Sequence, residues 1–305
     1  MTHLLLAIIC STSIALILKH GEERNHSRYV ILSMNYIMAT AISLSLVISK
    51  GLFKRFSGTS INNLLRQLET GHSGVEGFLS PQSTALWALL IGIPTGVLYF
   101  LGFYYYQRAV WESGVGMAGS YAKMGILVPM ILSMVFWREF PGGYQWAGMI
   151  LALSAIAMVN LKFGSKNIFS SVKPVLLLLF LSCGVSEFTN KLYQRFGMLE
   201  MKDLFLFFLF ATALLICVFR VRRKPSRDEI LTGLAIGIPN FFASFFLINA
   251  LARIPASVVF PSYSAGSIAL ICIGGRVFFG ERLSRRELTA VIATMVALLL
   301  INLQN

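Results

Sequence analysis

The sequence predicts an all-α integral membrane protein, with ten transmembrane helices arranged as two inverted five-helix repeats. Three observations carry this. Of the 305 residues, 56% are hydrophobic and only 13% charged, about half the charged share of a soluble domain, and the mean hydropathy is +0.72. Ten apolar runs come near the length of about 20 residues that crosses a bilayer: 3–19, 29–49, 85–107, 115–137, 144–161, 174–192, 203–220, 230–251, 255–279 and 287–303. Short motifs also recur in the same order in the two halves of the chain.

The first run lacks a basic start and a small-residue cleavage site, so it reads as a retained helix and not a signal peptide. The second carries Asn35. The loop 50–84 is long, and within it Ile61, Leu64, Leu65 and Leu68 fall at helical spacing. That spacing fits either a short helix on the membrane surface or a polar connector with scattered leucines. Gly71, Ser73, Gly74, Gly77 and Ser80 mark the rest of the loop as pliant. The third run carries Tyr99 and ends at Arg108, and the fourth holds Lys123. The sixth holds Glu187, and the seventh ends in the basic cluster Arg220, Arg222, Arg223 and Lys224. The eighth carries Asn240, Ser244 and Asn249, and the ninth Ser262, Tyr263 and Arg276.

A net charge of +13 often points to nucleic acid. Here the basic residues lie almost entirely between apolar runs, where they meet lipid headgroups and set topology. The lipid bilayer is thus an expected partner and nucleic acid is not. Cys10, Cys183, Cys217 and Cys272 sit inside apolar runs with no CxxC spacing, so neither a metal nor a disulfide is expected.

Ile91-Gly92-Ile93-Pro94 recurs as Ile236-Gly237-Ile238-Pro239. The same offset puts Tyr99 on Ser244 and Arg108 on Arg253. After a short gap, Ser120-Tyr121 falls on Ser262-Tyr263 and Arg138-Glu139 on Gly280-Glu281. The repeats are therefore 1–161 and 174–305. With an odd number of spans in each, the second copy must enter the membrane inverted, an architecture that places a solute site near the midplane.

The stretch Ala256-Ser257-Val258-Val259-Phe260-Pro261, followed by Gly280-Glu281-Arg282-Leu283 and a final apolar helix, resembles the drug/metabolite transporter superfamily in its ten-helix EamA-type branch. Trp137-Arg138-Glu139-Phe140-Pro141 is a degraded first-half copy of the same turn. The resemblance spans nearly the whole chain. It implies a secondary transporter working by alternating access, but not a substrate: the family moves amino acids, nucleotide and phosphorylated sugars, amines and drugs. The long loop departs from the compact family pattern.

Ionisable groups inside a span are costly and mark candidate sites. Lys123 lies among Gly116, Gly119 and Gly125 and is followed by Pro129. Small residues allow close approach, and a lysine there could hold a carboxylate or phosphate; the alternative is snorkelling or pairing with a glutamate. Glu187 reads as the sole carboxylate well inside an apolar run, suited either to carrying a proton or to pairing with Lys191 or Lys123. Tyr121, Tyr263, Ser262, Tyr99 and Asn240 are the candidate polar and aromatic lining of a cavity between the repeats, with Asn35 a weaker one. Gly92 to Gly96 and Gly233 to Gly237 form GxxxG pairs that suit close helix packing.

There is no Walker motif, HExxH or GxSxG, and His3, His20, His26 and His72 lie at the terminus or in loops. An enzyme, a cofactor or direct use of ATP is not expected. Loops after odd-numbered spans hold 15 lysines and arginines against 9 after even-numbered ones, which puts both termini outside. The family resemblance implies cytoplasmic termini, so orientation stays open. The expectation is a multi-pass cell-membrane transporter of a small organic solute, weakly favouring an anionic or zwitterionic one, with protons as a candidate coupling ion. The alternatives are a lipid-linked-sugar flippase and a non-transporting assembly or sensor protein.

Overall fold

The computed structural model describes the chain except residues 25, 59, 71–76, 114–120, 123–124, 126, 139, 141, 161–173, 222–223, 281–284, 286–287, 290–291, 294–295, 298–299 and 301–305. The described residues are helical, with no strand among them. Seven helices are long and apolar enough to cross a membrane. They match the first, second, third, sixth, seventh, eighth and ninth expected spans. The fourth is described mainly as Leu127–Trp137, the fifth as the helix Gly143–Asn160, and most of the tenth lies outside the described residues.

In chain order the helices are α1 (Thr2–Glu23), α2 (Arg28–Ser49), α3 (Ile61–Thr70), α4 (Pro81–Ser113), α5 (Leu127–Trp137), α6 (Gly143–Asn160), α7 (Pro174–Phe196), α8 (Lys202–Val218), α9 (Arg227–Leu251) and α10 (Ala256–Phe279). Single 3-10 turns precede α3 (Leu52–Phe56) and α8 (Leu199–Met201). The chain forms two compact units, residues 1–100 with 189–253, and 101–188 with 254–305. Each unit draws on both sequence halves.

In the first unit, α9 packs on α1 and α2, and α2 packs on α8. Glycines set the closest approaches. A Cβ on Gly237 of α9 would lie 2.5 Å from Asn35 O and from Met38 Cβ of α2. One on Gly92 of α4 would lie 2.7 Å from Phe208 Cβ and 3.1 Å from Phe205 O of α8. Gly233 likewise abuts Ile31 and Met34, and Gly96 abuts Leu209 and Thr212. The numbers rise together on both partners, so α9 runs parallel to α2 and α4 parallel to α8. Lys50, just past the end of α2, meets Asp203 at the start of α8, while Tyr36 meets Phe210 further along. α2 and α8 are therefore antiparallel, and so are α4 and α9.

α9 begins with a capping box. Glu229 N donates to Ser226 Oγ at 3.3 Å and Ser226 N donates to Glu229 Oε2 at 2.9 Å, which satisfies two of the N–H groups a helix start leaves open. Glu229 Oε1 also accepts from Ser27 N at 2.5 Å, tying in the start of α2.

The loop 50–84 does contain the surface helix, as α3. Leu64 is its buried anchor at 2% exposure, whereas Leu65 stays 51% exposed. The Gln67 side chain donates to Ser80 Oγ at 3.2 Å and accepts from Ser80 N at 2.9 Å. Gly77 N donates to Arg195 O at 3.0 Å. The expectation of a pliant end to this loop is corrected at Gly77 and Ser80, because hydrogen bonds hold both. Gly71, Ser73 and Gly74 lie outside the described residues.

In the second unit, α10 packs on α5 and α6. Met130, Met149 and Val258 form one small core, and Ala109, Val175, Leu176 and Leu179 form another. α10 ends at Gly280 in the left-handed conformation, φ 64°. Arg138, just past α5, adopts the same conformation at φ 55°.

Candidate functional site

Two polar groupings lie inside the apolar first unit. The first is where α2, α4, α8 and α9 come together. Asn240 and Ser244 are one turn apart and so share a face of α9. Asn240 Nδ2 donates to Asn35 Oδ1 of α2 at 3.0 Å. Ser244 Oγ and Tyr99 OH of α4 share a hydrogen bond of 3.0 Å. Phe210 of α8 is fully buried beside them, its ring centroid 6.1 Å from that of Tyr99, 6.3 Å from that of Tyr36 and 6.3 Å from that of Phe241. Pro94 and Pro239 lie inside α4 and α9. A helical proline removes one intrahelical hydrogen bond and exposes a carbonyl to new partners.

The second grouping is charged. Asp203 of α8 is 0% exposed, and its Oδ2 accepts from Lys50 Nζ at 2.5 Å, while the Lys50 side chain remains 44% exposed. The other oxygen, Asp203 Oδ1, is buried with no hydrogen-bond partner among the described residues. Lys202 is 7% exposed. Its ammonium lies 4.2 Å from the centre of the Phe245 ring, a favourable cation–π placement, and reaches Leu199 O at 3.4 Å. It forms no ion pair among the described residues. Phe245 is adjacent in sequence to Ser244, so this grouping adjoins the first.

The expected site residues divide between the units. Tyr99 and Asn240 belong to the first and are joined through α9 as described. Tyr121 packs against the second unit's core of Ala109, Val175, Leu176 and Leu179. Tyr263 is buried, and Ser262 is buried with its Oγ unpartnered among the described residues. Glu187 of α7 is half-buried. Lys123 lies outside the described residues.

The expectation that Glu187 is the only deep carboxylate is corrected: Asp203 and Glu229 are both more buried. Sequence reasoning missed Asp203, Lys202 and Lys50 because each borders an apolar run and there reads as a solvated end. The available signal was an adjacent lysine and aspartate directly abutting an apolar run, with only a short connection from the helix before.

No family model matches the chain. It is similar to an uncharacterized protein of Haemophilus influenzae, at 24% identity over 303 residues, which covers 98% of this chain and 96% of that one. It is also similar to a solved structure described only as the crystal structure of a protein, with a TM-score of 0.69 and 14% identity over 99% of this chain and 95% of the other. At that identity the likeness concerns the fold alone: nearly the whole chain shares the path of a known structure.

Proposed function

We propose that the protein is a secondary transporter of a small organic solute, working by alternating access between two inverted repeats of the EamA type. The observation that carries the reading is the hydrogen bond between Tyr99 and Ser244. These two residues are equivalents in the sequence repeat, and equivalent residues that touch must lie at the axis relating the copies. Three further observations support it. Gly92 and Gly237 are equivalents; the first meets Phe205 O and Phe208 Cβ, the second Asn35 O and Met38 Cβ. Both pairs of contacts are matched by one offset, so α2 corresponds to α8 as α9 does to α4. Both sets of equivalent helices run antiparallel, as inversion requires. Arg138 and Gly280, also equivalents, share the left-handed backbone.

Two near-identical halves can exchange conformations, which opens a midplane site to each side in turn. The buried polar groups of α2, α4, α8 and α9 suit a solute with charged or hydrogen-bonding ends. The test is purified protein in liposomes, after a thermal-shift screen of metabolites in detergent, since a bound solute stabilises the folded state. Saturable, counter-solute-accelerated flux of a stabilising metabolite is expected, and its absence for every such metabolite sinks the reading. Glu187→Gln separates coupling modes: uptake that loses its dependence on a pH gradient while solute binding persists marks Glu187 as the proton carrier.

A further inference from the structure

We propose that Lys202 and Asp203 form the binding site for a small carboxylic acid carrying a hydroxyl or ammonium group on the adjacent carbon. This rests on the transport reading and names the substrate class for it. Two neighbouring side chains at the start of α8 are buried, and both have unmet capacity. The Lys202 ammonium has an aromatic ring on one face and one long bond to a carbonyl, yet no carboxylate. Asp203 spends Oδ2 on Lys50 and leaves Oδ1 without a partner. Lys50, Asp203 and Glu200 are the charged groups close enough to act on the Lys202 ammonium. Glu200 is exposed and hydrated. Within the buried set, two cations therefore face one anion, a surplus of one positive charge.

A buried unpaired charge is costly and calls for a counter-charge. A ligand carboxylate on Lys202 supplies it through a charge-assisted bond. Asp203 Oδ1 accepts only, so the group beside that carboxylate must donate, and a hydroxyl or ammonium on the next carbon does so. The Phe245 ring then offers an apolar wall to the ligand's carbon skeleton. Lys50 reaches Asp203 with its side chain still partly in solvent, so it is the element that swings aside to admit the acid.

The test is thermal shift and titration of the detergent-purified full chain with amino acids, the matching 2-hydroxy acids and the matching unsubstituted acids. Amino or hydroxy acids should stabilise the protein more than unsubstituted ones. Lys202→Met should weaken their binding by about tenfold to a hundredfold, the loss of one charged bond, and Lys202→Arg should restore part of it. Asp203→Asn should retain acid binding but erase the preference for a donor-bearing carbon. If Lys202→Met does not fold, that erased preference decides alone.

The site is overturned if no acid stabilises the wild type, if Lys202→Met binds like wild type, or if Asp203→Asn keeps the preference. It is also overturned if only phosphatidylglycerol stabilises, the sign of a lipid headgroup as occupant. Liposome flux separates this from the broader reading. Flux of another solute that ignores Lys202 removes the site and leaves transport standing. Acid binding with no flux leaves the site standing and removes transport.

Discussion

Arg138 shows how a single residue carries the history of a repeat. Its φ of 55° is a glycine conformation, and the equivalent residue on α10 is indeed Gly280 at φ 64°. A residue with a Cβ held in the left-handed region costs about 1 kcal/mol. Arg138→Gly should therefore stabilise the protein by about 0.5–1 kcal/mol, after allowing for the greater freedom of glycine in the unfolded chain. Reversible unfolding in mixed micelles measures it, and a destabilised variant would mean that the guanidinium makes contacts worth more than the strain. The sequence match of Arg138 with Gly280 made the equivalence legible, but not the conformation, because an arginine carries no signal for positive φ. Asp203 was hidden for a related reason. A carboxylate at the edge of an apolar run looks solvated on paper, and only the packing of α2 and α7 around the start of α8 shows that it is not.

At the scale of elements, helix packing here depends on glycine faces and on shared caps. Gly237→Ala would push a methyl group to 2.5 Å from Asn35 O and Met38 Cβ, and overpacking of this kind costs about 1–3 kcal/mol. Gly143→Ala is the control, since nothing lies within 4 Å of its would-be Cβ, and it should change stability by no more than about 0.5 kcal/mol. Equal effects in an unfolding titration would sink the close-packing account. The cap of α9 gives a second contrast. Ser226→Ala removes one capping bond and should cost about 1 kcal/mol. Glu229→Ala removes the acceptor for both Ser226 N and Ser27 N, so two helix starts loosen and the cost should be about 2–3 kcal/mol. Hydrogen exchange would show α2 opening in the glutamate variant and not in the serine one. The GxxxG spacing and the Ser-x-x-Glu box were both readable from sequence. The helix on which each glycine closes, and the second bond from Glu229 to Ser27, depend on contacts between residues some 200 positions apart in the chain, which no local pattern encodes.

At the scale of the molecule, the apolar runs announced the helical architecture, and the offset of Ile-Gly-Ile-Pro located the equivalences. What stayed hidden was where those equivalences break. The glycine contacts set α2 against α8 in one register, with Asn35 matching Phe205 and Met38 matching Phe208. In that register Lys50 matches Arg220 and Asp203 matches Ser33. One end of the pair thus carries the ion pair Lys50–Asp203. At the other end the cation persists as Arg220, which stacks 5.6 Å from the centre of Phe100, but the carboxylate is replaced by Ser33, whose buried hydroxyl has no partner among the described residues. Two repeats that trade conformations should trade this latch, and only one of the two positions is armed. Asp203→Asn should loosen the armed end, at the low side of the about 3–5 kcal/mol lost when a buried pair is broken, because Lys50 is free to hydrate. Ser33→Asp should arm the other end through Arg220. A carboxylate buried at position 33 is tolerable only if paired, so Ser33→Asp combined with Arg220→Gln should be less stable than the two single changes predict, by about 1–3 kcal/mol. Hydrogen exchange along α8 reads the outcome. Asp203→Asn should speed exchange near Lys202, and Ser33→Asp should slow it near Arg220. A shift of about 1.4 kcal/mol between two conformations changes their ratio tenfold, enough to alter flux in opposite senses for solute on the two sides. If Ser33→Asp and Arg220→Gln prove additive and exchange near Arg220 is unmoved, α2 and α8 are not interchangeable partners, and the axis inferred from Tyr99 and Ser244 is a coincidence of packing.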